Sequence, residues 1–114
     1  MNGAPQQQIP QITAKELKER IDKGDDLQIV DVREAHELAV AKIPNTIHIP
    51  LGQVVSRMAE IDPNKETIVH CKMGGRSSMA IANLKQAGFT GSLTNLSGGI
   101  TAWSIDVDPS VPRY

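Results

Sequence analysis

The sequence of 114 residues contains a single cysteine, Cys71. One cysteine cannot form an internal disulfide, so nothing here indicates an oxidising compartment. The sequence also lacks any apolar stretch near the roughly 18 residues of a membrane span. Its first residues lack the basic start and apolar run of a signal peptide. These absences predict a soluble, cytoplasmic protein without a membrane partner.

The sequence also has no large excess of positive or of negative residues. Twelve Lys and Arg residues oppose 13 Asp and Glu residues, and the formal net charge is −1. This balance gives no case for general binding to nucleic acid, so any basic patch must be local. His36 and His48 have no Cys or His partner at metal-ligand spacing. We therefore expect no nucleic-acid partner, no metal site and no cofactor.

The composition that remains is typical of a globular protein, with 39% hydrophobic and 22% charged residues. The length suits one domain with a single core. Residues 1–8 are rich in Gly, Pro and Gln and have little to bury, so we interpret them as a flexible tail or the remnant of a linker. Residues 9–114 are expected to form a single domain.

Local patterns along the chain alternate between strands and helices. Thr13 and Glu16 form a capping box, and the helix that they start should end at Gly24. Apolar runs predict strands at residues 27–30, 47–49, 67–69 and 93–96, and helical patterns predict helices at 34–40, 51–61, 77–87 and 100–103. The ending "DVDPSVPRY" has two prolines and should be extended. The alternation predicts an α/β fold, a small three-layer sandwich with a mainly parallel central sheet flanked by helices.

The stretch that carries chemistry starts at Cys71. Asp31 and Cys71 both lie at the ends of predicted strands, and ligands of parallel sheets bind beyond the carboxyl ends of the strands. Glycines in the following loop let successive N–H groups turn inward as a nest for an anion, and the helix that follows adds partial positive charge. The loop residues are Lys72, Met73, Gly74, Gly75 and Arg76, with a cation near each end.

Such a loop can change the reactivity of the Cys71 thiol. An unperturbed thiol with a pKa of about 8.5 is only a few per cent thiolate at pH 7. Lowering that pKa by about two units requires roughly 2.7 kcal/mol, and each hydrogen bond to a charged group contributes about 1.5–3 kcal/mol. Two well-aimed amide donors could therefore activate Cys71 without a neighbouring base. The alternative is a buried structural thiol, which is common for free cysteine but needs no anion cradle.

Four motifs in order resemble the rhodanese-like sulfurtransferases: "IVDVRE" at 29–34, "IHIPL" at 47–51, "VHCKMGGRS" at 69–77 and "LSGGITAW" at 96–103. The resemblance implies that Cys71 takes a sulfane sulfur, holds it as a persulfide and passes it on, inside a pocket formed by the backbone amides of residues 72–76. It also implies that Asp31 and Arg33, with Ser77 at the helix start, support the loop. In the family a histidine often stands where this sequence has Lys42, so the resemblance assigns Lys42 no role.

The ending, mainly Asp108, Pro109, Pro112 and Tyr114, resembles the C-terminal rhodanese domain of fusion proteins with an E1-like adenylyltransferase part. Those proteins make thiocarboxylates on ubiquitin-like sulfur carriers, for molybdopterin and thiamine synthesis or tRNA thiolation. The resemblance therefore implies three partners: a sulfane-sulfur donor (thiosulfate or a persulfide protein), a ubiquitin-like carrier and an adenylating domain. The residues around Cys71 are small or cationic, so we expect a persulfide exposed at the rim, within reach of a thin carrier tail.

Other interpretations stay open at this point. A free-standing thiosulfate sulfurtransferase would use a small thiophile as acceptor. A dual-specificity cysteine phosphatase would have the spacing C-x5-R, whereas Cys71 and Arg76 are spaced C-x4-R without an obvious general acid. A docking domain without catalysis would not need the cysteine and its cations.

Individual residues also have plainer alternatives. Asp31 could cap the next turn, and Arg33 could pair with an acidic neighbour such as Glu34 or Glu37. We expect His70 and Trp103 to be packed residues.

Overall fold

The computed structural model describes residues 9–114, and the predicted tail at residues 1–8 lies outside the described residues. Five strands form one sheet in the order β1-β5-β4-β2-β3, and every neighbouring pair is parallel. The strands are β1 (Gln11–Ile12), β2 (Leu27–Asp31), β3 (Ile47–His48), β4 (Glu66–His70) and β5 (Leu93–Leu96). The helices are α1 (Ala14–Asp22), α2 (Ala35–Val40), α3 (Gly75–Gln86) and α4 (Gly99–Asp106).

Alternation along the central strands builds a core on each face of the sheet. Ile29 of β2 and Ile68 of β4 join a cluster with residues of α1 and α4, whereas their neighbours Val30 and Val69 join a second cluster with residues of α3. Successive side chains of a strand point to opposite faces, which produces this division. The predicted three-layer α/β sandwich is confirmed, and the sheet is parallel throughout rather than mainly parallel.

The helices form where the sequence supplies start and stop signals. Thr13 caps α1, since its hydroxyl accepts from the Glu16 N–H at 3.1 Å and the Glu16 carboxylate accepts from the Thr13 N–H at 2.9 Å. Leu17 of α1 is fully buried, which contributes about 1.5–3 kcal/mol of hydrophobic stabilisation. Ala80, Ile81 and Leu84 turn inward from α3 as predicted.

Some predicted elements differ from the structure. Residues 51–61 form two separate 3₁₀ turns, Leu51–Gln53 and Met58–Glu60, instead of one helix. Gly52 and the β-branched pair Val54-Val55 have low helix propensity, which favours short turns there. The sequence patterns missed β1, which has only two residues, and placed the end of α4 too early. They also placed the start of α3 two residues too late, so that Gly75 and Arg76 belong to the helix and not to the loop.

The chain after α4 is not simply extended. A turn joins the Asp108 carbonyl to the Val111 N–H at 3.0 Å, and the Ser104 hydroxyl donates to the Val111 carbonyl at 2.6 Å. Val111 is buried in the α1–α4 core as a result. This anchor directs the last residues back toward the sheet edge that carries Cys71. Within residues 9–114, no helix has the length and apolar character that crossing a membrane requires.

Candidate active site around Cys71

Asp31 and Cys71 lie at the carboxyl ends of two neighbouring strands. Asp31 ends β2 and is in register with His70, the last residue of β4, and Cys71 follows His70 directly. The parallel pairing of β2 and β4 therefore places the carboxylate, the imidazole and the thiol at neighbouring strand ends.

The loop after Cys71 curls around its sulfur. The Gly74 N–H donates to Cys71 Sγ at 3.1 Å, and the Ser77 hydroxyl lies 3.4 Å from the same sulfur. Gly74 has a φ of 111°, a conformation that residues with a Cβ rarely adopt, and it directs the chain into α3. The helix start thus offers backbone donors and its dipole to the sulfur.

These donors lower the pKa of the Cys71 thiol. Burial acts in the opposite direction and raises the pKa. Hydrogen bonds from the Ser77 hydroxyl and from the backbone amides of Ser77, Gly74 and Met73 together outweigh burial, so the net pKa lies below the ordinary thiol value. The thiolate is therefore favoured by donors that belong to the loop and to the first turn of α3.

The Cys71 thiol itself is buried, and the expectation that its persulfide is exposed at the rim stays a prediction. Cys71 is only 1% exposed, whereas Met73 at the outer side of the loop is 66% exposed. The loop wraps the sulfur because the N–H groups that stabilise a thiolate must approach it within hydrogen-bond distance. The thiol therefore has almost no contact with solvent in this structure.

Arg76 does not point a free charge at the sulfur. Its guanidinium binds the Glu37 carboxylate of α2 through two hydrogen bonds of 2.6 and 2.8 Å. The pair lowers the pKa of Glu37 well below its usual range and raises the pKa of Arg76. Arg76 consequently ties the start of α3 to α2 while its charge remains near Cys71.

Asp31 and Arg33 form a fully buried ion pair. The Arg33 Nη2 donates to Asp31 Oδ2 at 2.8 Å and to the Ala41 carbonyl at 2.8 Å. The backbone N–H of Arg33 also donates to Asp31 Oδ1 at 3.0 Å, so Asp31 caps the turn and pairs with the arginine at once. Arg33 does pair with an acidic neighbour, but the neighbour is Asp31 and not Glu34 or Glu37, because the turn folds the Arg33 side chain back toward Asp31.

His70 and Trp103 are packed residues, as expected. His70 Nδ1 lies 3.2 Å from the Cys71 carbonyl, and burial lowers the pKa of His70 despite the nearby Asp31 carboxylate. Trp103 is 5% exposed in the α1–α4 core. Lys42 is exposed on the loop after α2.

Tyr114 joins the two ion pairs to the loop. Its hydroxyl accepts from Arg33 Nη1 at 2.8 Å and donates to Glu37 Oε2 at 2.7 Å. The ammonium group of Lys72 lies 4.6 Å from the centre of the Tyr114 ring, within the range of a cation–π interaction. The last residue of the sequence therefore contacts the first residue of the loop after Cys71.

The sequence patterns did not identify Glu37 and Asn95 as residues of this site, and they did not predict the contacts that Tyr114 makes there. Asn95 of β5 is 3% exposed and accepts a hydrogen bond from the Ser77 hydroxyl. Its one visible signal is a polar side chain in the apolar strand Leu93–Leu96. Glu37 carries no comparable signal, because its partner Arg76 is 39 residues away along the chain.

Among residues 9–114, no group of three or more His, Cys, Asp and Glu side chains is arranged to hold a metal ion. The residues around Cys71 are suited to nucleophilic chemistry. The site combines one thiol with amide and hydroxyl donors beside it.

Comparison with known proteins assigns this parallel α/β sheet and its cysteine to a family. Residues 13–106 match the family model described as "Rhodanese-like domain", and the chain belongs to this family. The solved "Thiosulfate sulfurtransferase from Pseudomonas aeruginosa" has a similar fold, with a TM-score of 0.78 at 29% identity over 85% of this chain and 19% of that chain.

Two curated relatives indicate the range of the family. A "Sulfurtransferase" of Allochromatium vinosum is 34% identical over 84% of this chain and 89% of its own length. The "Adenylyltransferase and sulfurtransferase MOCS3-1" of Zea mays is 34% identical over 90% of this chain but only 23% of its own. The chain spans 51% and 31% of two further curated relatives, at 38% and 43% identity. These names support sulfur transfer as the general function of the domain.

Proposed function

We propose that the protein is a sulfurtransferase in which Cys71 carries sulfur as a persulfide. The observation that carries the proposal is the Gly74 N–H donating to Cys71 Sγ at 3.1 Å, at the start of a helix. A thiol sulfur is only a weak acceptor for such a donor, whereas a thiolate gains a stronger, charge-assisted hydrogen bond.

The first step is an exchange at sulfur. The Cys71 thiolate attacks the outer sulfur of thiosulfate, a new S–S bond forms, the original S–S bond breaks and sulfite leaves with the electron pair. Substrate contacts are proposed for the backbone amides of residues 72–76 and for the ammonium of Lys72, which is half-buried beside the loop. Arg76 contributes charge rather than a free hydrogen-bonding face, since Glu37 occupies its guanidinium.

Asp31, Arg33 and Ser77 support this site in the proposal. Asp31 and Arg33 are fully buried and hold the strand end beside β4, and Ser77 offers its hydroxyl to the sulfur. The Asp31–Arg33 pair is a scaffold, because the Arg33 hydrogen bonds go to Asp31, Ala41 and Tyr114.

The proposed acceptor is the adenylated C-terminus of a ubiquitin-like sulfur carrier. Relatives that combine adenylyltransferase and sulfurtransferase names support this choice. The outer sulfur of the persulfide would attack the acyl adenylate and release AMP, and a dithiol would then cleave the acyl disulfide to give the carrier thiocarboxylate and free Cys71. Residues 9–114 would act as one domain in the cytoplasm, with residues 1–8 as a linker and the adenylating domain in the same or another polypeptide.

The direct test is mass spectrometry after treatment with thiosulfate. We expect one added sulfur atom on Cys71, removable by dithiothreitol, and no addition in Cys71→Ser. Thr94→Ala, on the neighbouring strand, should retain the adduct. An adduct or transfer activity that survives in Cys71→Ser would overturn the proposal.

The acceptor is tested by a mixture of this protein, thiosulfate, ATP, dithiothreitol, an adenylating domain and a carrier. A Cys71-dependent gain of 16 Da on the carrier, the mass change of oxygen to sulfur at a carboxylate, supports it. Rapid formation of thiocyanate from cyanide without carrier modification favours the free-standing thiosulfate sulfurtransferase.

Turnover of p-nitrophenyl phosphate should be negligible, because Glu37 binds the Arg76 guanidinium and the spacing from Cys71 to Arg76 is one residue shorter than in the phosphatases. A docking protein would show none of these reactions.

A further inference from the structure

The Ser77 hydroxyl has one proton and two candidate acceptors. It lies 3.4 Å from Cys71 Sγ and also donates to Asn95 Oδ1. Ser77 is fully buried, Cys71 is 1% exposed and Asn95 is 3% exposed. Because solvent does not reach the three side chains, the single proton must serve either the sulfur or the amide oxygen.

The orientation of the Asn95 amide is fixed by its surroundings. Asn95 Nδ2 donates to the side-chain oxygen of Gln11 at 3.0 Å and to the Gly74 carbonyl at 3.4 Å. The carbonyl can only accept, so the amide nitrogen must face it and the amide oxygen must face Ser77. The backbone of Asn95 is held on both sides, by Gln11 of β1 and Val69 of β4.

This geometry gives the two protonation states of Cys71 different hydrogen bonds. When Cys71 is a thiol, its S–H can donate to Ser77 Oγ and the Ser77 proton stays with Asn95. When Cys71 is a thiolate, the Ser77 proton serves the sulfur best, and Asn95 Oδ1 is then left without that donor in a buried site. Asn95 therefore competes with the thiolate for one proton.

We infer that Asn95 is a positioning residue that acts through Ser77 to favour the thiol form of Cys71. This inference rests on the proposed function of Cys71 as the nucleophile. After persulfide formation Sγ is bonded to sulfur and no longer anionic, so the Ser77 proton returns to Asn95.

Other groups near Cys71 also affect its titration, and they come from several elements. They are Asp31 of β2, Arg33 between β2 and α2, Glu37 of α2, His70 of β4, Lys72 of the loop, Arg76 of α3 and Tyr114 of the C-terminal segment. All of them remain in place in the variants below, so their contributions are common to every measurement.

The test is the pH dependence of alkylation by iodoacetamide, which reports on Cys71 alone because the sequence has one cysteine. Asn95→Ala removes the competing acceptor and should lower the apparent pKa by about one unit, which is about a ten-fold higher rate well below the pKa. Ser77→Ala removes a donor and should raise the pKa. The double variant should match Ser77→Ala, since Asn95 acts only through the hydroxyl.

Asn95→Asp gives a second test if Asn95→Ala does not fold. It keeps an acceptor in place and should raise the apparent pKa, by less in the Ser77→Ala background. Thr94→Ala, one residue away on β5, should match the parent. An unchanged pKa in both Asn95 variants, or equal shifts with and without Ser77, would overturn the inference. Alkylation needs no sulfur donor, so this result is independent of whether persulfide transfer is observed.

Discussion

Helices α3 and α4 both begin after a glycine with positive φ, Gly74 at 111° and Gly98 at 76°. The amides at the start of α3 face the sulfur of Cys71, and the Gly74 N–H lies 3.1 Å from it. The amides at the start of α4 bind backbone instead: Ile100 N–H donates to the Cys71 carbonyl at 3.0 Å, and Thr101 N–H donates to the Lys72 carbonyl at 3.1 Å.

The two helix starts therefore hold the same loop from two sides. Amides that bind carbonyls fix the position of the loop, and amides that face a sulfur change the pKa of the thiol. Similar local conformations give a scaffold in one case and a candidate site in the other, because the partner of the free N–H groups differs. Substitutions at the two starts should separate these roles.

The largest effect is expected for Gly99→Ala. A Cβ at this position, where φ is +57°, would overlap the Lys72 carbonyl and approach the Cys71 carbonyl oxygen to 2.6 Å. Backbone strain and overpacking should together cost about 2–5 kcal/mol of unfolding free energy. Urea denaturation and the thiosulfate assay should both show the loss. Gly52→Ala, where a Cβ meets nothing within 4 Å, is the matched control. A stable, fully active Gly99→Ala would contradict the close approach.

A smaller effect is expected for Gly74→Ala. A Cβ there has room, since its nearest neighbour is Asn95 Nδ2 at 3.5 Å, but a φ of 111° strains any residue with a side chain. The strain should cost about 1–3 kcal/mol, and the shifted amide should slow alkylation of Cys71. The smaller cost and the absence of an overlap with backbone atoms distinguish this variant from Gly99→Ala. Alkylation at the parental rate would show that this amide does not tune the thiol.

Glu37→Gln tests the Arg76–Glu37 ion pair, which links the start of α3 to α2 and has no counterpart at the start of α4. The Arg76 pair lowers the pKa of Glu37, so its stabilisation is complete above the unfolded glutamate pKa of about 4.3 and is lost as the pH falls below it. We expect a loss of about 1–2 kcal/mol at pH 7, reduced from the buried limit because the Arg76 side chain is 35% exposed.

The measurement is the melting temperature of parent and variant between pH 7 and the acid range. The difference between them should shrink as the pH falls below about 4.3, because Glu37 is then protonated in the unfolded parent while it is still ionised in the folded parent. Glu19→Gln, an exposed glutamate on α1, serves as the control. A difference that is constant over the whole range would show that the ion pair does not stabilise the fold.

The smallest effect is expected for Gly75→Ala. A Cβ there meets nothing within 4 Å, and the residue opens α3 without a positive φ. Alanine should leave activity unchanged and raise stability by at most about 0.4–1 kcal/mol, because it restricts the unfolded chain. A loss of activity like that of Gly74→Ala would mean that both glycines of the pair are required.

The sequence predicted well where the deciding interactions are local. The Thr13–Glu16 capping box and the stop of α3 near Gly88 depend on neighbours within a few residues. The loop from Cys71 to α3 was also predicted from its order of residues, because a helix start and a glycine suffice to turn amides inward. These features could be recognised without knowing what packs against them.

Prediction failed where partners are distant along the chain. β1 exists because it pairs with β5, more than 80 residues later. Three further contacts join distant segments: Arg76 with Glu37, Tyr114 with Arg33, and Ser77 with Asn95. They form only when the order of the strands brings α2, the C-terminal segment and β5 together near the carboxyl ends of the strands.

The local sequence alone therefore determined that Cys71 lies at a strand end, in a loop of backbone donors. The strand, the cysteine, the glycines and the helix follow one another directly along the chain, so no distant segment is needed to bring them together. The tertiary structure alone decided that the thiol is buried, that Arg76 is occupied by Glu37, and that the Ser77 proton has a second acceptor in Asn95. Burial and long-range hydrogen bonds depend on which segments pack together, and that information is not contained in any one segment.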